Sequence, residues 1–271
     1  RGAVSVAERA GLSPMVIGLT LVGFGTSAPE LVTSIQAAFA GSPGIAIGNV
    51  VGSNTGNILL ILGLTALIRP VLIDRNALMR DGGVVIAASV LLVAVALTGA
   101  LGRGAGVLLF GLLLVYLIAT LVIERRRNPA TGAVYAAEAE AIPQASLSLG
   151  AALGIAVGGL VLTIFAARAL VFGAVGLAEL AGMSETVIGL TIVAIGTSMP
   201  ELVTAIIAVR KGQGDVAFGN VLGSNIFNVL GILGATALAK PLPVAPMIAQ
   251  VDVYVMLAAS LALLATGLLW Q

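Results

Sequence analysis

Apolar residues run along this chain in blocks long enough to cross a bilayer, and polar residues are confined mostly to short breaks between the blocks. A helix that spans the hydrocarbon core needs about 20 such residues. The pattern predicts spans near 13–39, 44–68, 77–99, 104–123, 147–172, 184–209, 215–239 and 247–270, with the first ten residues as the tail of an earlier helix. One long polar stretch, 124–145, holds Arg125, Arg126, Arg127, Pro129, Pro143 and three glutamates, and reads as a water-exposed linker. The chain therefore divides into a first half, 1–123, a linker, 124–146, and a second half, 147–271.

The two halves repeat one another. Ile17-Gly18-Leu19-Thr20 recurs as Ile188-Gly189-Leu190-Thr191. Gly25-Thr26-Ser27-Ala28-Pro29-Glu30 recurs as Gly196-Thr197-Ser198-Met199-Pro200-Glu201, and Gly48-Asn49-Val50-Val51-Gly52-Ser53-Asn54 as Gly219-Asn220-Val221-Leu222-Gly223-Ser224-Asn225. Asn57 matches Asn228 and Pro70 matches Pro241. The offset is 171 throughout, and roughly 36 of the 61 positions in 10–70 are identical. Shared hydrophobicity would not hold Pro, Glu, Asn and Ser in register, so this is a true internal repeat, a transporter signature. The motif regions are 11–70 and 182–241.

A long helix, 147–182, precedes the second motif, and its counterpart is reduced to 1–11. A full repeat of five helices is expected, with most of the first helix and all of the tenth absent and the chain a fragment. An odd number of spans per repeat gives the halves opposite topology. The basic residues set the orientation: with the linker in the cytoplasm, Arg9, Arg69, Arg75, Arg80, Arg125, Arg126, Arg127, Arg210 and Lys211 fall inside, against Arg103 and Lys240 outside. The expected fold class is an all-α polytopic membrane protein of two inverted-topology repeats.

Composition agrees with the pattern and narrows the chemistry. Hydrophobic residues make up 59% of the 271 positions and charged residues 9%, against about 25% charged in soluble domains. Mean hydropathy is +1.14. There is no cysteine and no histidine, which excludes disulfides, thiolate centres and histidine-ligated zinc or haem. A bound metal must be a hard cation held by oxygen. A net charge of +1 gives no reason to expect a nucleic-acid partner.

Of twelve acidic residues, ten lie in or near predicted loops and helix ends, where solvated charge is the simplest reading. Glu30 and Glu201 lie near the middle of apolar spans, where a carboxylate is expensive unless paired, protonated or wetted. No Lys or Arg shares their depth; Arg168, the nearest candidate, is expected toward one end of its helix. Two unpaired, equivalent carboxylates call for cations; the alternative is a protonated, hydrogen-bonded carboxyl. Pro29 and Pro200 remove backbone donors, and Gly25 and Gly196 loosen the same turn, so both helices should break there. Freed carbonyls and the hydroxyls of Thr26, Ser27, Thr197 and Ser198 would add hard oxygen ligands. Ser53 and Asn57, like Ser224 and Asn228, are four apart and share a helical face. Gly48, Gly52, Gly219 and Gly223 make small-xxx-small patterns that serve close helix packing. Asn54 and Asn225 suit an interhelical hydrogen bond or a helix cap.

The doubled Gly-Thr-Ser-x-Pro-Glu and Gly-Asn-Val-x-Gly-Ser-Asn motifs resemble the two alpha repeats of the cation/calcium antiporter superfamily, and within it the prokaryotic sodium/calcium exchangers. The resemblance covers essentially the whole chain. It implies ten helices in two inverted five-helix repeats. By motif position it implies that Glu30 and Glu201 ligate calcium, helped by the carbonyls of Thr26 and Thr197. Sodium sites would draw on Ser27, Ser53, Ser198, Ser224, both glutamates and the carbonyls of Gly23 and Ala194, with Asn57 and Asn228 completing the centre. Some relatives carry Asp at the position of Asn228, including potassium-dependent ones. Asn in both halves leaves at most two negative charges and argues against potassium dependence.

The function expected is secondary active exchange of sodium for calcium by alternating access, in a monomeric transport unit of a prokaryotic plasma membrane with the linker cytoplasmic. Proton/calcium or other divalent antiport is the alternative, and a cation channel a third reading. No cofactor is expected beyond the transported ions. Carboxylates without an adjacent nucleophile or substrate pocket argue against an enzyme.

Overall fold

The computed structural model describes residues 2–9, 23–71, 75, 78–126 and 148–269. The repeated segment 17–20, the first part of the predicted span 13–39, and nearly all of the linker lie outside the described residues. Within them the chain is helical: α1 (Gly2–Arg9), α2 (Gly23–Thr26), α3 (Ala28–Ala40), α4 (Pro43–Ile68), α5 (Leu78–Ala96), α6 (Arg103–Arg126), α7 (Leu149–Ala181), α8 (Glu185–Thr197), α9 (Met199–Arg210), α10 (Gly214–Ala239) and α11 (Ile248–Leu269). Among the described residues six helices are long and apolar enough to cross a membrane, and the bent pair α8–α9 makes a seventh span. Among the described residues the spans fall where the apolar blocks predict them, and α7 runs to Ala181, as the long helix expected over 147–182 requires. The short strands β1 (Ala100–Leu101) and β2 (Leu242–Pro243) pair antiparallel, Ala100 opposite Pro243, and tie the loop before α6 to the chain after α10.

The layers follow from how much of each helix the protein itself covers. In its most apolar stretch α10 is 78% buried and α7 only 6%. The motif helices α3, α4, α8, α9 and α10 therefore make the centre, and α7 lies outside them with Leu162, Phe165 and Phe172 facing outward. Such a surface is stable only in lipid, as the composition requires.

Glycine sets the closest helix approaches. A β-carbon on Gly48 would lie 3.0 Å from the Thr186 carbonyl, and one on Gly52 would collide with the Leu190 backbone, so α4 and α8 touch backbone to backbone. On the other side, a β-carbon on Gly234 of α10 would lie 2.8 Å from the Phe110 nitrogen of α6. The small-xxx-small reading holds for Gly48 and Gly52 but not for Gly223, which has nothing within 4 Å among the described residues.

Two acidic residues depart from the loop-end expectation. Asp81 is buried and paired with Arg80 at 2.8 Å, with Tyr116 donating a hydrogen bond at 3.3 Å. Asp252 ends a π-helical turn, Ile248–Asp252, at the start of α11, and its Oδ2 is buried without a partner among the described residues. Both sit near the ends of spans, where the hydropathy pattern cannot tell interior from interface.

Candidate cation site between the broken helices

The motif helices break where Gly and Pro predict. Ser27 (φ −87°, ψ 5°) separates α2 from α3, and Ser198 (φ −82°, ψ 9°) separates α8 from α9. The α8–α9 axes differ by 46°. Pro29 and Pro200 stand in the first turn after each break, where a missing N–H does least harm to the following helix. Glu30 and Glu201 follow directly, and both are fully buried.

Each carboxylate is held from the opposite half. Ser198 Oγ donates to Glu30 Oε1 at 3.0 Å, and Ser27 Oγ donates to Glu201 Oε1 at 3.2 Å. Ser224 adds a second bond to Glu201 Oε1 at 3.1 Å and lies 2.9 Å from Ser27 Oγ. Among the described residues neither glutamate forms an ion pair; Arg168 lines a separate cavity between α7 and α3.

The asparagines lock the centre reciprocally. Asn54 Nδ2 donates to the Asn225 carbonyl at 3.1 Å, and Asn225 Nδ2 to the Asn54 carbonyl at 3.3 Å. Asn57 Nδ2 reaches Asn225 Oδ1 and Asn228 Nδ2 reaches Asn54 Oδ1, both at 2.9 Å. When residue i of one repeat meets residue j of the other, and the reverse also holds, the repeats are related by a two-fold axis. The axis passes beside these four residues, so the inverted repeat is visible in the bonding itself. For Asn54 and Asn225 the interhelical bond is the reading that holds.

Four acceptor atoms are left over. Glu30 Oε2, Glu201 Oε2, Asn57 Oδ1 and Asn228 Oδ1 are buried and meet no hydrogen-bond donor among the described residues. Unsatisfied buried oxygens of this kind are costly. All four are hard ligands, in a bonded neighbourhood where the Asn Nδ2 groups are already turned away to other partners. Among the described residues no three acidic side chains gather, so a cation here would rely on two carboxylates and neutral oxygens.

The remaining predicted residues divide. Ser53 Oγ lies 3.5 Å from the Ala194 carbonyl, and together with Ser198 they border a cavity of about 30 Å³ that also touches Gly56. That is room for a particle the size of one water. The Thr197 hydroxyl is engaged, donating to Asn49 Oδ1 at 2.9 Å. Thr26 closes α2 and Gly23 opens its described part.

Sequence reasoning missed Asn49 as a linchpin. Its amide donates to the Glu30 carbonyl at 3.1 Å and to Ser34 at 2.9 Å, while its oxygen accepts Thr197, so one side chain holds both broken helices. Its place in the repeated Gly-Asn-Val motif was the available signal. Also missed were the π-helical turns that begin at Asn57 and Phe227, next to the central asparagines. Such turns are frequent at functional sites.

Comparison with known proteins adds an independent finding. Residues 1–122 and 151–271 match a family model described as sodium/calcium exchanger protein. A putative antiporter, CaxA, of Alkalimonas amylolytica is 39% identical over 267 residues, covering 98% of this chain and 83% of that protein. A sodium/calcium exchanger, MaX1, of Methanosarcina acetivorans is 38% identical, covering 97% and 84%. A solved structure of the sodium-calcium exchanger NCX_Mj, soaked with sodium and strontium, superposes with a TM-score of 0.65 at 32% identity, covering 98% of this chain and 83% of that one.

Proposed function

Since the chain belongs to the sodium/calcium exchanger protein family, a family of integral multi-pass membrane proteins that exchange cations for calcium, we propose that it exchanges sodium for calcium by alternating access at the Glu30–Glu201 site. One observation carries the reading: two carboxylate oxygens and two amide oxygens, Glu30 Oε2, Glu201 Oε2, Asn57 Oδ1 and Asn228 Oδ1, are buried at the repeat interface with no donor. A hard divalent cation satisfies such oxygens, and the two carboxylates balance its charge. The carbonyls of Thr26 and Thr197 complete its shell. Sodium tolerates neutral ligands. Ser53, Ser198 and Ala194 border the small cavity, with Ser198 bonded to Glu30, and by the repeat their counterparts are Ser224, Ser27 and Gly23, of which Ser27 and Ser224 bond Glu201.

With only two negative charges, one calcium leaves the site neutral and three sodium ions leave it positive, so exchange of three for one moves charge. Two facing carboxylates without a cation repel one another in a low-dielectric site. That repulsion opposes the passage of an ion-free site across the membrane and favours exchange over leak. The moving element is the peripheral pair α1 and α7, which packs outside the motif helices. The linker 124–146 faces the cytoplasm of a prokaryotic cell, by the excess of basic residues on that side.

The test is calcium uptake by vesicles containing the purified protein. An outward sodium gradient should drive uptake, and collapsing that gradient should stop it. Uptake that persists without sodium and follows an imposed pH gradient would overturn sodium coupling in favour of protons. Steady flux without any counter-ion would overturn exchange altogether.

A further inference from the structure

Thr197 has a single hydroxyl hydrogen, and three oxygens lie within its reach. Asn49 Oδ1 is at 2.9 Å, the Val193 carbonyl at 3.1 Å and the Ala194 carbonyl at 3.2 Å. The two carbonyls belong to the preceding turn of α8, the usual acceptors for a threonine inside a helix. Asn49 instead reaches across from α4. Its orientation is fixed, because both amide hydrogens go to α3: one to the Glu30 carbonyl at 3.1 Å, the other to Ser34 Oγ at 2.9 Å. Turning the amide over would break both bonds, so Oδ1 is held facing Thr197. Asn49 is fully buried, which shields the contact from water.

The Ala194 carbonyl is where this choice has a consequence. A carbonyl oxygen has two lone pairs. One accepts the Ser198 N–H at 3.0 Å, as the helix requires. Around the other stand the Thr197 hydroxyl, the Ser53 hydroxyl at 3.5 Å, which is the limit of bonding, and the small cavity that Ala194 borders with Ser53 and Ser198. A hydrogen on that lone pair competes with a cation for the same electrons.

We propose that Asn49 is a positioning residue for sodium: by taking the Thr197 hydrogen it keeps the Ala194 carbonyl free to ligate an ion in this cavity. The inference rests on the sodium/calcium reading given above and adds to it a residue that touches neither ion. Calcium depends on it less, because Ala194 is not in the calcium shell. The second half lacks the arrangement. Gly23, Thr26 and Asn220 stand 171 positions from Ala194, Thr197 and Asn49, but Asn220 Oδ1 meets no donor among the described residues. The two carbonyls on the sodium side are therefore unequal, and Ala194 is the one whose availability is set by an asparagine.

Displacement of radioactive calcium by sodium from the purified protein tests this. The readout is the ratio of sodium to calcium affinity, with calcium affinity measured in the absence of sodium. Asn49→Leu, similar in shape but without an acceptor, should shift that ratio against sodium about three- to tenfold, the worth of one hydrogen bond. Asn220→Leu should not shift it. The double variant Asn49→Leu/Thr197→Val has no hydrogen left to block Ala194 and should recover the ratio. Thr197→Val by itself should weaken sodium no more than calcium. If Asn49 served only to tie α3 to α8, Thr197→Val would reproduce Asn49→Leu and the double variant would not recover. Either of those results, or an unshifted ratio in Asn49→Leu, overturns the proposal. Should Asn49→Leu fail to fold, Thr197→Val decides: a loss of sodium relative to calcium overturns the proposal, and no relative loss supports it. If sodium displaces no calcium from the unaltered protein, the exchange reading itself fails. Normal displacement there, with variants that behave otherwise than stated, removes the role of Asn49 alone.

Discussion

Ser27 donates to Glu201 and Ser198 donates to Glu30, at nearly the same distance, and the two serines are 171 positions apart. Asn49 and Asn220 stand in the same relation along the chain, yet they fare differently. Asn49 has three partners, while among the described residues neither Nδ2 nor Oδ1 of the buried Asn220 has one. One of the three partners is lost to a substitution one helix away. Asn49 bonds Ser34, and the residue matching Ser34 is Ala205. A similar divergence separates Gly234, pressed against α6, from Gly63, which has nothing within 4 Å among the described residues. Leu60 and Leu67 on the Gly63 side are exposed, whereas Leu230 on the other is buried. The halves agree in the serine–glutamate and asparagine–asparagine bonds that cross the two-fold axis. They diverge at the edge of that centre, where Thr197 of one half reaches Asn49 of the other and no described residue does the same for Asn220.

The sharpest way to break this comparison is to remove one carboxylate at a time. Glu30→Gln and Glu201→Gln should each abolish calcium uptake in vesicles, because either loss leaves one formal charge for a divalent ion. Normal transport by either variant would remove that glutamate from the site.

The glycine pair separates the halves by stability. Gly234→Ala drives a β-carbon into the Phe110 backbone, and overpacking of this kind costs about 1–3 kcal/mol. Gly63→Ala meets nothing and should gain up to about 1 kcal/mol from helix propensity. Thermal unfolding of the two variants in detergent should shift in opposite directions; equal shifts would mean that α6 does not press on Gly234.

The smallest effect is at the asparagines. Ser34→Ala should destabilise the protein by about 1 kcal/mol, the worth of a lost hydrogen bond, and so lower the unfolding temperature. Ala205→Ser should offer Asn220 the partner it lacks and raise that temperature. If Ala205→Ser also lowers it, the asymmetry is not one of missing hydrogen bonds.

Much of this could be read from the chain alone. Pro29 and Pro200 lack N–H groups and Gly25 and Gly196 lack side chains, so the breaks at Ser27 and Ser198 are local consequences of covalent structure. A carboxylate in an apolar block stands out by its cost in lipid, so Glu30 and Glu201 were visible too. The gapless repeat made them equivalent, and Asn at both 57 and 228 limited the central charge.

What the chain alone left open concerned partners far apart in sequence. Nothing local distinguishes Asn49 from Asn220, or shows that Thr197 turns its hydroxyl to Asn49 rather than to an ion. Asp81 looked like a loop-end charge until Tyr116 and Arg80 closed on it. Arg168, expected toward one end of its helix, stands at the twentieth of the 33 residues of α7. The sequence by itself determined the spans, the breaks and the identity of the buried charges, because each depends on residues within a turn or two. The tertiary structure alone decided which oxygens are satisfied and which are left for a cation. That choice depends on where the two-fold axis brings side chains some 170 residues apart, and no local pattern encodes the position of that axis.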